Sequence, residues 1–178
     1  MQLPIPNFMR FFFINVATLL LGLGAPCVAL AESPALAAKP TADKVVKVVY
    51  HADFADPRRF SAMLTSINNM VGVYQEGLVD YDVRIVFVSY GIRFVTRDKL
   101  SGTPFSEDAE LKKRRENLLG RLNTLHETFG VKLELCGITR EQAGLDEKKL
   151  IPGVEIVRSG VVRVAELQHQ GFSYIKIE

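Results

Sequence analysis

The sequence predicts an α/β protein of three layers, α/β/α, with a parallel five-stranded sheet between helices. Two observations lead to this fold class. Short runs rich in β-branched residues alternate with longer segments whose apolar residues recur at helical spacing, as in βαβ units. The length of 178 residues suits one domain with a single buried core.

The strands are predicted from short apolar runs and the helices from apolar periodicity. Strands are predicted over residues 44–50, 83–88, 131–135, 154–157 and 172–177. Helices are predicted over residues 57–76, 107–129 and 161–168, and two short helices near Ile92 and after Thr139.

Capping residues support three of these helix starts. Asp56 followed by Pro57 is an N-cap with proline at the first helical position. Ser106 is the predicted N-cap of the long second helix, whose first turn is acidic. Thr139 with Gln142 has the spacing of a capping box, so Thr139 is predicted to open the short helix that follows the third strand.

The first 31 residues have the layout of a secretory signal peptide. Arg10 precedes an apolar stretch over residues 11–23, and the segment closes with Ala29-Leu30-Ala31. A retained single-pass anchor is the alternative, but a span needs about 20 continuous apolar residues and Pro26 interrupts the run. We therefore expect a signal peptide at 1–31, a flexible lead-in at 32–43, a domain at 44–178 and a periplasmic location, with membrane contact only through the export signal.

The cysteine count becomes informative once the signal is removed. Of the two cysteines, Cys27 leaves with the signal peptide and Cys136 remains. Two cysteines are too few for a disulfide scaffold or a four-cysteine zinc site. Cys136 cannot form a disulfide within its own mature chain, although the predicted compartment is oxidising.

Charge and motifs exclude several function classes. The 22 basic and 20 acidic side chains nearly balance, and the basic run at 112–115 is predicted to be the solvated face of a helix, so we expect no nucleic-acid partner. The predicted mature chain has no glycine-rich nucleotide loop and no G-x-S-x-G nucleophile motif. Neither His126 nor His169 has a metal-ligand partner at position i+3 or i+4, and we predict neither a metal nor another cofactor.

Four side chains are predicted at the edge of the sheet where ligands bind. In open parallel sheets this edge lies beyond the carboxyl ends of the strands, where the sequence places His51, Tyr90, Cys136 and Arg158. Cys136 precedes a predicted helix start, whose positive end would lower the pKa of the thiol and favour the nucleophilic thiolate. The residues alone leave open the alternative of an inert, buried cysteine.

Several segments carry a family resemblance. They are YH at 50–51, INN at 67–69, LELCGIT at 133–139 and, most specifically, PGVEIVRSGV at 152–161, continued by AELQ at 165–168 and GFSYIK at 171–176. The chain resembles the DsrE/DsrF-like family of sulfur-relay proteins over residues 44–177. It is most similar to a branch of small, mostly uncharacterised members, many with a signal peptide.

The resemblance implies a three-layer domain that assembles into homotrimers or homohexamers. It also implies that the cysteine after the third strand, here Cys136, accepts sulfane sulfur as a persulfide and passes it to a partner protein. Where relatives often have a His-Gly pair after the second strand, this chain has Ser89-Tyr90-Gly91, so the role of that histidine is not transferred.

The predicted function is therefore a periplasmic protein that binds or relays sulfane sulfur through Cys136. His51, Tyr90 and Arg158 would line the pocket, and the charge of Arg158 would favour an anionic donor such as thiosulfate. Two alternatives stay open: a non-catalytic oligomeric module that binds a small ligand or a protein and has a structural cysteine, and a thiol protein that forms mixed disulfides with partners. The sequence leaves open whether the protein is an enzyme.

Overall fold

The computed structural model describes residues 45–178, and the predictions of a signal peptide, its cleavage and the lead-in lie outside them. The strands are β1 (Val46–Ala52), β2 (Tyr81–Phe87), β3 (Lys132–Cys136), β4 (Val154–Val157) and β5 (Ser173–Ile175). The helices are α1 (Pro57–Glu76), α2 (Ala109–Glu127), α3 (Gly137–Gln142) and α4 (Gly160–His169), with 3-10 turns at Ser89–Phe94 and Glu147–Lys149. Within the described range, no helix is both long enough and apolar enough to cross a bilayer.

The five strands form one parallel sheet in the order β4-β3-β2-β1-β5. This arrangement confirms the predicted fold class. His51 of β1 lies opposite Val86 of β2, which lies opposite Glu134 of β3. Because all strands run the same way, β1 to β4 end at one edge, and their last residues are neighbours in space.

The two faces of the sheet carry cores of different size. Side chains alternate between the faces along each strand, so Val48, Tyr50 and Ala52 join the large core with α1 and α2. Val49 and Val86 point to the opposite face, where they form a small core with Val164, Leu167 and Phe172. That second face therefore packs on α4, and the position of α4 affects every side chain beneath it.

His51 lies inside the first strand, whereas the sequence placed it just after the strand. The predicted strand ended at Tyr50, but pairing with β2 continues to Ala52. The small side chain of Ala52 is fully buried, and its carbonyl accepts the amide of Val88, which extends the ladder. His51 consequently shares the face of the sheet that α4 covers.

Two predicted helix starts are wrong. Asp108, not Ser106, caps α2, because the Asp108 carboxylate accepts the Leu111 amide at 2.8 Å while the Ser106 hydroxyl donates to loop carbonyls. The short α3 begins at Gly137 with Cys136 as its N-cap, and Thr139 lies inside the helix. Strand β3 passes directly into α3 without a loop, which moves the helix start three residues earlier.

The basic run at 112–115 is only partly solvated. Lys112 and Lys113 are exposed, as predicted, but Arg115 is buried. Its guanidinium pairs with Glu107 at 2.8 Å and donates to the carbonyl of Arg93 at 3.0 Å. A buried guanidinium needs such partners, so this residue connects α2 to the turn after β2.

Candidate functional site

Cys136 lies at the carboxyl edge of the sheet, at the junction of β3 and α3. Its side chain shares the sheet face with Glu134, two residues earlier, and only 4% of the residue is exposed. As the N-cap of α3 it has an extended backbone (φ −60°, ψ 117°), after which the chain turns into the helix. The thiol therefore faces the unpaired amides at the start of α3.

Thr139 contributes a hydroxyl to the same place. Its oxygen accepts the backbone N–H of Ser89 at 3.0 Å, which leaves its own hydrogen free to point at the sulfur of Cys136. Ser89 has a left-handed backbone (φ 52°), an uncommon conformation for a residue with a side chain. The turn after β2 thus orients the hydroxyl that faces the cysteine.

Gly160, the first residue of α4, approaches the cysteine from the other side. A Cβ atom at Gly160 would lie 3.0 Å from the Cβ of Cys136 and 2.4 Å from a methyl group of Val88. The second distance is too short for real atoms, so this position has no room for a side chain. The absence of one brings the first amide of α4 against the sulfur.

These groups set the acidity of the thiol. Burial raises the pKa of Cys136, but hydrogen bonds from the amide of Gly160 and from the amide and hydroxyl of Thr139 lower it. The amide of Ile138 acts in the same direction, and the net pKa of Cys136 is lower than that of an ordinary cysteine. The site can therefore hold a thiolate, the nucleophilic form of sulfur.

His51 does not lie beside Cys136. Strand β2 separates their strands, so the Cα of His51 is about 10 Å from that of its lateral neighbour on β3. The Nδ1 of His51 is 3.3 Å from the hydroxyl of Tyr174 on β5, and its Nε2 is buried without a partner among residues 45–178. Burial lowers the pKa of His51, with Asp53 opposing and Lys176 adding to the effect, so the ring is neutral at neutral pH.

Arg158 and Tyr90 lie on exposed parts of the same edge. Arg158 is exposed and has no ion pair within the described part of the chain. It lines a groove of about 660 Å³, together with Ile138, Val157, Ser159, Val162, Arg163 and Glu166. Val157 pairs with Cys136 in the sheet, so the groove adjoins the cysteine, which does not itself line it. Tyr90 lies in the 3-10 turn after β2, and its ring packs edge-on against that of Phe105.

The sequence places Gly160 at the end of the fourth strand but assigns no role to it, to the hydroxyl of Thr139 or to Glu134. Gly160 follows Ser159, which caps α4, and a glycine directly after a capping serine is a signal for close backbone approach. Glu134 stands between two leucines of a buried strand, and such a charge needs partners. Among residues 45–178, no three His, Cys, Asp or Glu side chains are grouped as a metal site.

The fold and the site together define an α/β protein with a nearly buried cysteine, whose pKa is lowered, at the carboxyl edge of a parallel sheet. The sequence profile of the DsrE/DsrF-like family matches residues 43–177, and the chain belongs to this family.

Solved structures also resemble this chain. The protein MTH1491 of Methanobacterium thermoautotrophicum, a protein of unknown function, is 24% identical with a TM-score of 0.57, over 74% of this chain and 98% of its own. The ychN protein of E. coli is 19% identical with a TM-score of 0.43, over 75% of this chain and all of its own. No curated protein matches the chain significantly. The likeness to MTH1491 supports the fold alone.

Proposed function

We propose that this protein binds or relays sulfane sulfur through a persulfide on Cys136. The observation that carries the proposal is the thiol's environment, in which amides from two helix starts and the hydroxyl of Thr139 lower the pKa of Cys136. Such an environment favours the thiolate, which is the nucleophilic form of the cysteine. Membership of the DsrE/DsrF-like family agrees with this chemistry.

The transfer needs no oxidant. The thiolate of Cys136 attacks the outer sulfur of thiosulfate, a new S–S bond forms, and the old S–S bond breaks to release sulfite. One thiolate and one thiosulfate dianion become one persulfide anion and one sulfite dianion, so charge and atoms balance. An acceptor thiolate then removes the outer sulfur in the same way and restores the thiolate of Cys136.

Arg158 supports an anionic donor. Its exposed guanidinium lies in the groove beside the cysteine and can pair with the oxygen atoms of thiosulfate or of another anionic sulfur compound. Because Cys136 is nearly buried, the donor must displace part of the wall of the groove to reach the sulfur. His51 and Tyr90 remain proposed substrate contacts further along the same edge.

We also propose a cellular location and an oligomeric state for the protein. We place the protein in the periplasm, exported by residues 1–31, as a homo-oligomer that exchanges sulfur with a donor or acceptor protein. Support comes from the sequence of the first 31 residues and from the resemblance to the family. Cell fractionation and mass determination of the mature chain test the location, and sedimentation tests the assembly.

Mass spectrometry after exposure to thiosulfate or polysulfide tests the relay. The protein should gain the mass of one sulfur atom, and Cys136→Ser should not. Arg158→Ala should need more thiosulfate for the same gain while still reacting with uncharged sulfur donors. If the unmodified protein gains no sulfur that Cys136→Ser lacks, the relay is wrong.

The burial of Cys136 favours a second function, a non-catalytic binding module with a structural cysteine. An inert thiol packs as a small apolar side chain, and 4% exposure is consistent with that role. Alkylation separates the two functions. A relay thiol should react in the folded protein, whereas a structural thiol should react only after unfolding.

A further inference from the structure

Glu134 is a fully buried carboxylate in the middle of β3. It lies between Leu133 and Leu135 and is 0% exposed. Its Oε1 accepts Arg84 Nη1 at 2.8 Å, and the guanidinium of Arg163 binds both oxygens, Nε to Oε2 at 2.7 Å and Nη2 to Oε1 at 2.9 Å. This two-point contact fixes the direction as well as the distance between strand and helix.

Arg163 lies in an unusual position for a cation. It is in the first turn of α4, where its amide donates to the carbonyl of Ser159. The positive end of a helix dipole disfavours a cation there. The contact with Glu134 offsets this cost, so it explains why an arginine stands at the start of this helix.

Two contacts, one at Glu134 and one at Cys136, connect β3 to α4. Cys136 and Glu134 lie on the same face of β3, two residues apart, and Gly160 and Arg163 are separated by almost one turn of α4. Gly160 meets Cys136, and Arg163 meets Glu134. Two contacts at this spacing determine both where the helix begins and which way its first turn faces.

We propose that Glu134 and Arg163 are positioning residues that hold the first turn of α4 so that the Gly160 amide points at the sulfur of Cys136. The inference rests on the proposed function in taking Cys136 as the reacting group. It deepens that function, since it assigns the reactivity of the thiol to an ion pair that does not touch the sulfur.

Substitution of Glu134 separates positioning from simple electrostatics. Glu134 is an anion near Cys136, so removal of its charge alone would lower the pKa of the thiol. Loss of the aligned Gly160 amide would raise it. Positioning therefore predicts the opposite sign of change from a charge effect.

The experiment titrates the thiolate by its ultraviolet absorbance in the full chain, with Cys136→Ser subtracted as the blank. In Glu134→Gln the ratio of thiolate to thiol at a fixed pH should fall by about tenfold, which corresponds to the loss of one hydrogen bond to a charged group. Arg163→Lys retains the charge but not the two-point contact, and its thiolate fraction should fall less. Asp82→Asn is the matched control, because Asp82 binds Arg84 and Lys132 in the same cluster without touching α4.

The thiolate fraction of each variant decides whether Glu134 and Arg163 position α4. A lower thiolate fraction in Glu134→Gln and Arg163→Lys, with Asp82→Asn unchanged, supports positioning. An unchanged or higher fraction in Glu134→Gln, or no change in Arg163→Lys, overturns it. Circular dichroism checks folding, and if Glu134→Gln does not fold, Arg163→Lys decides alone. Failure of sulfur uptake by the unmodified protein would overturn the relay but leave this titration result standing.

Discussion

Gly160→Ala tests the close approach of α4 to Cys136. The added methyl group would lie 2.4 Å from the side chain of Val88 and 3.0 Å from the Cβ of Cys136, so the first turn of α4 must move. Overpacking of this kind costs about 1–3 kcal/mol. In a chain of this size the melting temperature should then fall by roughly 2–12 °C.

The same displacement should change the thiol. The amide of Gly160 is the largest of the contributions that lower the pKa of Cys136, so its withdrawal should raise that pKa and reduce the thiolate fraction at neutral pH. Thiolate absorbance is the suitable assay. Alkylation rates would also respond to the greater access that a shifted helix allows, and the two effects oppose each other.

Gly120→Ala is the matched control. Gly120 is an exposed residue in the middle of α2, and a Cβ there would meet no atom within 4 Å. Alanine should stabilise that helix by roughly 0.5–1 kcal/mol and leave the thiol unchanged. If Gly160→Ala matched the unmodified protein in both stability and thiolate titration, the packing argument for the site would be refuted.

Three further predictions follow from single contacts. Thr139→Val removes a hydrogen bond to the thiolate and the acceptor of the partly buried Ser89 amide, so the pKa of Cys136 should rise and the free energy of unfolding in urea should fall by about 1 kcal/mol. An unchanged titration would count against the hydroxyl. Because burial lowers the pKa of His51 in the folded state, the unfolded chain binds the proton first, and stability should decline as the pH falls below about 6.5. His51→Gln should remove that part of the decline in thermal melts, and an identical pH profile would contradict the assignment. Asp108→Ala removes both the α2 cap and the anion that pairs with the buried Arg93, so the free energy of unfolding in urea should fall by about 2 kcal/mol or more, and a loss near zero would contradict both roles.

The sequence predicts the sheet well where the signals are local. Strand β4 is found at the predicted residues because Pro152-Gly153 and Arg158-Ser159 bound a short apolar run on both sides. Helix α1 begins and ends as predicted, since Asp56 and Pro57 provide a start and apolar spacing continues to Glu76. Such signals lie within a few residues of the element that they specify.

The environment of Cys136 is not local, and the sequence predicts only part of it. The end of β3 and the helix that follows place the thiol at the sheet edge, which is readable from residues 131–139. The approach of Gly160 to Cys136 depends on where α4 packs on the sheet after β4. No residue spacing in the sequence predicts that position. The pairing of Glu134 with Arg163 joins a strand to that same helix, so it becomes visible only when the two elements are packed.

Two sets of groups therefore affect the thiol of Cys136, one in contact with the sulfur and one further away. Amides and a hydroxyl contact it directly, and fixed dipoles of this kind can stabilise a thiolate without placing a mobile charge beside it. An ion pair further down the sheet holds those dipoles in line. This arrangement explains why the buried charges of Glu134 and Arg163 lie near Cys136 without contacting its sulfur. A cation in contact with the sulfur would stabilise the thiolate so strongly that its nucleophilicity would fall, whereas aligned amides favour the anion and would leave it able to attack the sulfur donor of the proposed relay.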